Sequence, residues 1–465
     1  YYSEYAEYCR ISLFRITTYI VERVLDAVKV GLLGLGRVGG GTATVLIRNA
    51  DEIQARVGRG IEITHVAGLG ISEQTIVDPA TTKLTEDAVE VVNDPEVEIV
   101  VELIGGYTLA KDLVMKAIEN GKHVVTANKA LIATHGPEIM KAAAEQGVSV
   151  CYEAAVAGGI PIIKAMREGL AANKIQWIAG IINGTGNFIL TEMRDKGRDF
   201  ADVLKEAQQL GYAEADPTFD VEGIDAAHKL TILASLAFGI ELQFEKTYTE
   251  GISKITPEDV NYAEELGYRI KHLGITRKTD KGIELRVHPT LIPEKRLIAN
   301  VDGVMNAVLV QGDAVGPTLY YGAGAGAEPT ASAVVADIVD TVRTIDAPLH
   351  HKVPLLGFQD DAMRDTPILD IDDVESAYYL RMEAEDKPGV LAEVSETFAK
   401  HSISIEAVLQ KEPATGESSV HLIMLTQKCV ESSVNHAIKV VEELGTVKGE
   451  VVRIRMEHLD LSLIH

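Results

Sequence analysis

The sequence predicts an α/β protein with a parallel sheet in its first third and α+β architecture beyond it. Short runs that are apolar throughout, such as "VKVGLLGLG" from Val28 and "EIVVELIGG", alternate with stretches of helical periodicity. In "LAKDLVMKAIENG" the apolar residues at positions 109, 113, 114, 117 and 118 form one face of a helix. Buried strands that alternate with amphipathic helices are typical of βαβ units and of a parallel sheet.

Composition and charge argue against several classes of function. The 465 residues are 46% hydrophobic and 24% charged, as in an ordinary globular protein of two to four domains. The formal net charge of -25 argues against a nucleic-acid partner, because phosphate binding needs a basic surface. The 3 cysteines match no metal-ligand spacing and favour a reducing, cytoplasmic compartment. No apolar run is long enough to cross a bilayer, so we expect no membrane partner.

Changes in the pattern divide the chain into five parts. Residues 1–27 predict an extension outside the fold, and residues 28–152 contain the strands and helices of the parallel sheet. The strands predicted there include "IEITHVAGLG", "KHVVTANKALIA" and "VSVCYEAAV", and the first helix is "GGTATVLIRNADEIQARV". In the part 153–322 we predict a strand at "KIQWIAGIING", helices in 188–211 and 222–238, and strands at 283–292 and 305–311. A further helix near 323–345, a Pro-, Asp- and His-rich linker at 346–374, and a twice-repeated β-turn-helix-β pattern at 375–457 follow.

The motif "GLGRVG" places Gly34, Gly36 and Gly39 between a strand and a helix, which is the setting of a dinucleotide-binding fingerprint. The first glycine permits a tight turn, the second lets the backbone approach a pyrophosphate, and the third lets the helix pack on the strand. The alternative is a glycine-rich turn without a ligand. The end of the second strand offers only Glu73 as an acid and no arginine, so the choice between NAD and NADP stays open.

Two further motifs stand at the ends of predicted strands. "EAAVAGGIP" places Glu153 before Gly158 and Gly159. It predicts either a strand-to-helix turn or a cation site of one carboxylate with main-chain carbonyls, and the spacing alone favours the turn. "TANKAL" places Lys129 where ligands of open α/β sheets bind, although a solvated loop charge would have the same pattern.

Carboxylates crowd before an apolar helix in "YAEADPTFDVEGIDAAHKLTILASLAFG", residues 212–239. Asp225 and Lys229 are four residues apart and share one helix face. Burial would lower the pKa of such a lysine and a nearby carboxylate would raise it, so a protonated lysine could donate to a developing alkoxide. Glu214, Asp216 and Asp220 precede the helix, where they could hold an ammonium group. Acids that stabilise the helix dipole are the alternative, but this alternative does not explain a lysine at the apolar edge.

Together these motifs resemble homoserine dehydrogenases that carry a carboxyl-terminal ACT domain. The resemblance runs from Val28 to about Glu457 and includes "VELIGG", "NGTGNFIL" and "GAGAGAEPTASAVVADI" beside the motifs above. It implies a Rossmann-type dinucleotide-binding domain (28–152 and about 323–345), an α+β catalytic and dimerisation domain (153–322), and a ferredoxin-like ACT domain (375–457). The implied reaction is the reversible, NAD(P)H-dependent reduction of L-aspartate 4-semialdehyde to L-homoserine, in threonine, methionine and isoleucine biosynthesis.

The resemblance also implies roles for individual residues. Lys229 resembles the proton donor, Asp225 the residue that places it, and Lys129 a partner that touches substrate and nicotinamide. The implied substrate-binding residues are Glu214, Asp220, Asn183, Gly184 and Thr185. The implied residues for NADPH or NADH are Gly34, Gly36, Arg37, Val38, Gly39, Ile104, Gly105, Lys129, Gly324, Gly326 and Glu328. A sodium-type monovalent cation would bind Glu153 and main-chain oxygens of Val156, Gly158 and Ile160.

The segment "EDKPGVLAEVSETFAKHSISIEAVLQ" is similar to an ACT domain, a module that binds amino acids, usually between paired copies. The resemblance implies threonine as allosteric effector, bound near Asp386, Gly389 and Val390, and a homodimer or homotetramer. A purely structural dimerisation module, another semialdehyde dehydrogenase, and a non-catalytic amino-acid sensor with a degenerate dehydrogenase domain are the alternatives. The intact glycine fingerprint and the two lysines argue against the sensor.

Overall fold

The structure is a computed structural model that describes residues 26–348, 351–411 and 419–459. The extension expected at residues 1–27 lies outside the described residues except for its last two. The carbonyl oxygen of Asp26 accepts a hydrogen bond from Arg59 Nε at 2.9 Å, and the first strand begins at Val28. No helix within these ranges is long and apolar enough to span a membrane.

A parallel sheet of six strands forms the first domain, in the order β3-β2-β1-β4-β5-β6. Alternate residues face opposite sides, so Val100 and Val124 belong to one hydrophobic core while Val101 and Val125 belong to another. Helices therefore cover both faces, as the apolar strands predicted. The strands are β1 (Val28–Leu33), β2 (Ile61–Ala67), β3 (Lys83–Thr85), β4 (Ile99–Glu102), β5 (His123–Thr126) and β6 (Val150–Cys151). The helices are α1 (Arg37–Arg48), α2 (Ala50–Val57), α3 (Ala88–Asn93), α4 (Thr108–Glu119) and α5 (Lys129–Gln146).

Three predicted elements of this domain are corrected by the structure. The strand "KHVVTANKALIA" ends at Thr126, because the Asn128 side chain accepts the N–H of Leu131 and begins helix α5. The helix "GGTATVLIRNADEIQARV" is two helices that meet at Asn49. The strand "VSVCYEAAV" ends at Cys151, and a turn of 3-10 helix follows it.

The second domain packs helices on a mixed sheet whose strands are mostly antiparallel. Its strands are β7 (Ile175–Ile181), β8 (Tyr248–Thr249), β9 (Tyr268–Lys278), β10 (Ile283–Pro293), β11 (Met305–Gly312) and β12 (Gly316–Ala323). Its helices are α6 (Ile162–Lys164), α7 (Gly184–Lys196), α8 (Phe200–Gln209), α9 (Thr218–Val221), α10 (Ile224–Phe238) and α11 (Pro257–Glu265), and α12 (Ala327–Arg343) packs back on α1. Strand β9 was not predicted because polar residues interrupt it. One of them, Lys271, is buried and bonds to Asp302 at 3.0 Å.

The C-terminal domain has the twice-repeated β-turn-helix-β order that the sequence predicted, in the ferredoxin-like arrangement that the resemblance implied. Its strands are β13 (Glu375–Glu385), β14 (Ile405–Gln410), β15 (Ser419–Thr426), β16 (Cys429–Val430) and β17 (Val447–Met456), with helices α13 (Val390–Lys400) and α14 (Glu431–Glu442). Strand β17 pairs in parallel with β10, which joins both domains into an 11-stranded sheet. Nine strands follow the order β12-β11-β7-β9-β10-β17-β13-β15-β14, while β8 pairs with β10 and β16 pairs with β13. Segment 346–374, expected as a linker, pairs with the second domain at the bridges Ile240↔Arg364 and Ile283↔Ile368.

Candidate active site

A carboxylate shared by two lysines lies between the first two domains. Gly223 has a φ of 85° and begins α10, on which Asp225 and Lys229 are one turn apart. Lys229 Nζ is 2.6 Å from Asp225 Oδ2, and Lys129 Nζ is 3.0 Å from Asp225 Oδ1. Lys129 is the first residue of α5, at the carboxyl edge of the parallel sheet. The structure thus brings together the three residues for which the resemblance implied catalytic roles.

Asn183 holds this cluster from the other side. Its Nδ2 donates to Asp220 Oδ1 at 2.7 Å and to Asp225 Oδ2 at 2.8 Å, while its Oδ1 accepts the N–H of Gly186 and caps α7. Lys229 Nζ also donates to the carbonyl oxygen of Ile182 at 2.7 Å. An ammonium group has three hydrogens, so these contacts leave one of them for a ligand.

The surroundings of the cluster shift the pKa values of the two lysines in opposite directions. Burial lowers the pKa of Lys229, and the charge of Asp225 only partly opposes this effect. Asp225 raises the pKa of the more exposed Lys129. Burial would raise the pKa of Asp225, yet the two ammonium groups keep it below its ordinary value. Burial raises the pKa of Asp220, although the Asn183 amide donates to this carboxylate. Of the two lysines, Lys229 is therefore the one that loses its proton more easily.

The other acids of the stretch before α10 have separate contacts. Glu214 is exposed, on the loop where Thr185 Oγ1 donates to the carbonyl oxygen of Tyr212 at 2.7 Å. Asp216 accepts the N–H of Thr218 at 3.1 Å. The structure therefore places Asp220 with the lysine cluster, whereas the Glu214 side chain is exposed to solvent.

The dinucleotide fingerprint has the geometry that a pyrophosphate requires. Gly34 has a φ of 96°, and a Cβ on Gly39 would lie 2.0 Å from the Gly34 carbonyl oxygen, so the helix packs closely on the turn. A Cβ on Gly36 would meet nothing within 4 Å, and no side chain caps α1, which begins with Arg37 and Val38. The open N–H groups of this helix start fit an anionic group of a nicotinamide cofactor.

A buried acid that the sequence analysis did not single out holds the neighbouring loop. Glu102 Oε1 accepts the N–H groups of Ile104 and Gly105 at 2.9 Å each, and Oε2 accepts Thr126 Oγ1 at 2.6 Å. Asn128 Nδ2 donates to the carbonyl oxygen of Gly106 at 2.7 Å. Glu102 and Asn128 belong to "VELIGG" and "TANKAL", two of the motifs on which the family resemblance rests. The loop and the start of α5 are thus fixed relative to each other.

The segment that leads into α12 contacts the second domain closely. A Cβ on Gly324 would lie 2.0 Å from Asn306 Nδ2, and Gly326 has a φ of 129°. A Cβ on Gly184 would lie 2.7 Å from the carbonyl oxygen of Val304, which fixes the start of α7 from the same side. The Glu328 carboxylate forms a bidentate salt bridge with the surface residue Arg48, at 2.9 and 3.0 Å.

The loop after β6 is the place expected for a cation. The oxygens of the buried Glu153 accept the N–H groups of Ile163 and Lys164 at 2.9 and 2.8 Å, so this carboxylate begins α6, and burial raises its pKa to about 7. Gly158 has a φ of 49°, and a Cβ there would lie 2.4 Å from the Gly324 carbonyl oxygen. The described residues hold no group of three or more His, Cys, Asp or Glu that could hold a metal ion. A cation would therefore depend on this carboxylate and on carbonyl oxygens such as those of Val156, Gly158 and Ile160.

An aromatic cluster beside the two lysines was not predicted. His228 is fully buried, stacks on Phe244 at 4.0 Å between ring centroids, and lies 5.5 Å from Phe219. Neither ring nitrogen has a hydrogen-bond partner among the described residues, and burial lowers its pKa to about 4. Lys129 Nζ lies 5.8 Å from the Phe219 centroid. A neutral, apolar flank therefore borders the charged cluster.

The residues expected to bind an effector lie at the turn from β13 to α13. Asp386 is exposed and accepts a long hydrogen bond from Gln410 at 3.5 Å. Gly389 has a φ of 102° and caps α13, whose first residue is Val390. The turn lies beside β14, the last strand of the sheet in the described part of the chain.

A parallel sheet with a dinucleotide fingerprint, whose carboxyl edge adjoins a buried cluster of one carboxylate and two lysines, defines a nicotinamide-dependent oxidoreductase. Comparison with known families agrees with this class. Residues 34–153 match the NAD-binding domain of homoserine dehydrogenase, residues 161–339 match homoserine dehydrogenase, and residues 378–445 match the ACT domain.

Individual relatives resemble the chain over nearly its whole length. The homoserine dehydrogenase of Pseudomonas aeruginosa is 64% identical over 436 residues, which cover 94% of this chain and 100% of that protein. The crystal structure of a homoserine dehydrogenase from Thiobacillus denitrificans is 63% identical with a TM-score of 0.89, and the match covers 94% and 99% of the two chains. A hyperthermophilic archaeal homoserine dehydrogenase in complex with NADPH is 25% identical with a TM-score of 0.59, covering 69% and 99%. The chain therefore belongs to the homoserine dehydrogenase family.

The two glycines of the fingerprint give a matched pair of variants. We expect Gly36→Ala to keep the thermal stability of the parent, because its Cβ meets no protein atom within 4 Å. The same Cβ would occupy space that the second glycine leaves for the pyrophosphate, so NADPH binding should weaken on the order of tenfold. Gly39→Ala should instead lower stability by about 1–3 kcal/mol, since its Cβ overlaps backbone. Fluorescence titration and thermal unfolding measure the two effects. An NADPH affinity in Gly36→Ala equal to that of the parent would contradict binding of the pyrophosphate at Gly36.

Proposed function

We propose that this chain interconverts L-aspartate 4-semialdehyde and L-homoserine at the cluster of Asp225, Lys229 and Lys129. The observation that supports it most is the buried Lys229 ammonium, which Asp225 and the carbonyl oxygen of Ile182 hold with one hydrogen left over. A nicotinamide cofactor, when bound, supplies or accepts the hydride. The residues of the chain then have to bind the substrate and to move one proton.

Lys229 Nζ donates that proton to the aldehyde oxygen as the alcohol forms, and takes it back when homoserine is oxidised. Its lowered pKa favours the transfer in both directions, because a general acid-base works best near the operating pH. Asp225 keeps the ammonium in place, and Lys129 offers a second positive charge for the developing alkoxide.

The polar groups around the cluster are proposed to bind the rest of the amino-acid substrate. Asp220, held by Asn183, and the exposed Glu214 would receive the substrate ammonium group. Gly184 and Thr185 would line the cleft at the start of α7, whose helix dipole suits a carboxylate.

The cofactor is proposed to be NADPH or NADH, held by the fingerprint and by the loop at Ile104 and Gly105. Support comes from the open start of α1 and from the NADPH bound by the archaeal relative. Gly324, Gly326 and Glu328 would lie towards the nicotinamide end. A sodium-type cation is proposed at Glu153, whose main-chain N–H donates to the buried Asp337 carboxylate at 2.7 Å. Burial and the nearby charge of Glu153 raise the pKa of Asp337, and a cation would offset this accumulation of negative charge.

We propose that threonine binds at Asp386, Gly389 and Val390 and regulates the enzyme, which would act in the cytoplasm as a homodimer or homotetramer. The ACT match and the exposed turn support an amino-acid ligand. The position of the turn beside the edge strand β14 supports a site between paired copies.

The reaction is tested by homoserine-dependent reduction of NADP⁺ and of NAD⁺. We expect activity in the parent and a loss on the order of a hundred- to ten-thousandfold in kcat for Lys229→Ala, the usual contribution of a positioned acid. The exposed Lys254→Ala is the matched control and should keep parental kcat. Near-normal turnover in Lys229→Ala would remove the lysine from the mechanism. A folded parent that binds NADPH but never turns over would point to an amino-acid sensor instead.

The dependence of kcat on pH tests the role of Asp225. Homoserine oxidation needs neutral Lys229, so kcat should rise with pH through the lowered pKa of this lysine. In Asp225→Asn the lysine loses the charge that raises its pKa, so the midpoint of the rise should move to lower pH while the maximal rate falls. The exposed Asp216→Asn serves as control. A midpoint that stays or moves to higher pH in Asp225→Asn would be the contrary result.

Threonine should lower the activity of the parent. In Asp386→Ala we expect the concentration for half-maximal inhibition to rise about tenfold, within the usual range of allosteric coupling, because an exposed carboxylate of the turn is lost. The exposed Glu443→Ala, in the same domain, should respond as the parent does. Equal inhibition of Asp386→Ala and parent would place the effector elsewhere.

A further inference from the structure

One short segment, residues 248–253, runs from the C-terminal domain to the active-site turns, and we call it the bridge segment. It begins with β8, which pairs with β10 at Arg286↔Tyr248. Farther along β10, strand β17 of the C-terminal domain pairs at Thr290↔Arg455. The bridge segment and β17 therefore follow one another along β10.

At the C-terminal domain the bridge segment is held by a buried arginine. Arg455 is fully buried, and its Nε donates to Glu431 Oε2 at 2.8 Å, at the first turn of α14. Its Nη1 donates to Glu250 Oε2 at 2.7 Å, and its Nη2 to the Tyr248 hydroxyl at 3.1 Å. A buried guanidinium that loses one partner is strongly destabilised, so α14 and the bridge segment cannot shift independently.

At its other end the bridge segment packs on the residues before α10. Ile252 N donates to the carbonyl oxygen of Val221 at 2.9 Å, and Ser253 Oγ donates to Glu222 Oε1 at 2.8 Å. A Cβ on Gly251 would lie 2.2 Å from Glu222 Oε2. These contacts lie three and four residues before Asp225.

His272 links the bridge segment to both turns of the active site. Its Nε2 donates to the carbonyl oxygen of Glu250 at 3.0 Å, since a carbonyl can only accept. The ring lies 3.2 Å from a Cβ built on Gly223, at the start of α10, and 3.6 Å from one built on Gly186, at the start of α7. These two helix starts carry Asp225 and Asn183. The ring therefore sets the spacing of the two turns.

We propose that Glu250 and His272 are positioning residues for Asp225 and that the Arg455–Glu250 pair makes the active-site geometry depend on the C-terminal domain. The proposal rests on the proposed reaction at Asp225 and Lys229. It gives the ACT module a physical route to the catalytic groups. A shift of α14 moves Arg455, the bridge segment and the His272 ring, and so changes the hydrogen bonds of Asn183 to Asp225.

The first test compares Glu250→Gln with the exposed Glu245→Gln in the full chain. We expect kcat of homoserine oxidation to fall about tenfold in Glu250→Gln, the effect of a small misplacement of catalytic groups, with KM for NADP⁺ changed less than twofold. Glu245→Gln should match the parent. In the double variant of Glu250→Gln and Arg455→Lys, the fold loss in kcat should be smaller than the product of the two single losses. The reason is that both substitutions remove the same Arg455–Glu250 interaction.

Two further variants separate positioning from a merely structural role. His272→Gln keeps a donor near the position of Nε2, whereas His272→Phe keeps the ring without a donor. We expect His272→Gln to retain at least several times the kcat of His272→Phe at equal NADPH-binding stoichiometry, which counts folded sites. Parental kcat in Glu250→Gln, or equal kcat in the two His272 variants, would overturn the proposal.

The dependence on threonine tests the regulatory half. The ratio of activities with and without threonine should move towards one in Glu250→Gln, and a ratio equal to that of the parent would overturn this half. A parent that ignores threonine would refute the effector and the regulatory route, while the kcat comparison would still decide the positioning role. A parent without homoserine activity would refute the reaction itself, and the unmutated chain alone reveals that result.

Discussion

The arrangement of the active site depends on a single carboxylate, that of Asp225. Its two oxygens receive one ammonium group each, from Lys129 of the dinucleotide-binding domain and from Lys229 of the second domain. A buried carboxylate is stable only with such partners, and two ammonium groups this close repel each other without it. The same group therefore holds two domains in register and adjusts the proton affinity of the lysine beside it.

Other buried charges join the remaining parts of the molecule in the same way. Arg286 bonds to Glu284 at 2.8 Å and to Glu457 at 2.6 Å, and so ties the second domain to the chain that follows β17. Arg455 does the same through Glu431 and Glu250. Both arginines and the carboxylates of Glu284, Glu431 and Glu457 are buried, and Glu250 is half-buried. Apolar contacts alone would allow these junctions to slide. Charged pairs with fixed geometry specify one relative placement.

Periodicity predicted the parallel sheet, the repeated β-turn-helix-β pattern of the C-terminal domain and the helix that carries Asp225 and Lys229. The sequence could not give β9, because Lys271 and His272 are buried only through partners that are distant in sequence. The same limit applies to the site. Helical spacing places Lys229 beside Asp225, whereas Lys129 is 96 residues earlier and its contact with Asp225 exists only after the domains pack. Glu102 and His228 carried no local pattern of their own, so only the fold assigns them contacts.

The position of β17 also constrains how the chain reaches its native state. Residues 447–456 follow every other described strand along the chain, yet they fill a place inside the 11-stranded sheet, between β10 and β13. Until they arrive, part of the β10 edge has no partner and remains open to pairing with other chains. Contacts between residues so far apart in sequence are slow to form. Closure of the sheet therefore has to wait for β17, and a nascent chain is more exposed to aggregation before that step.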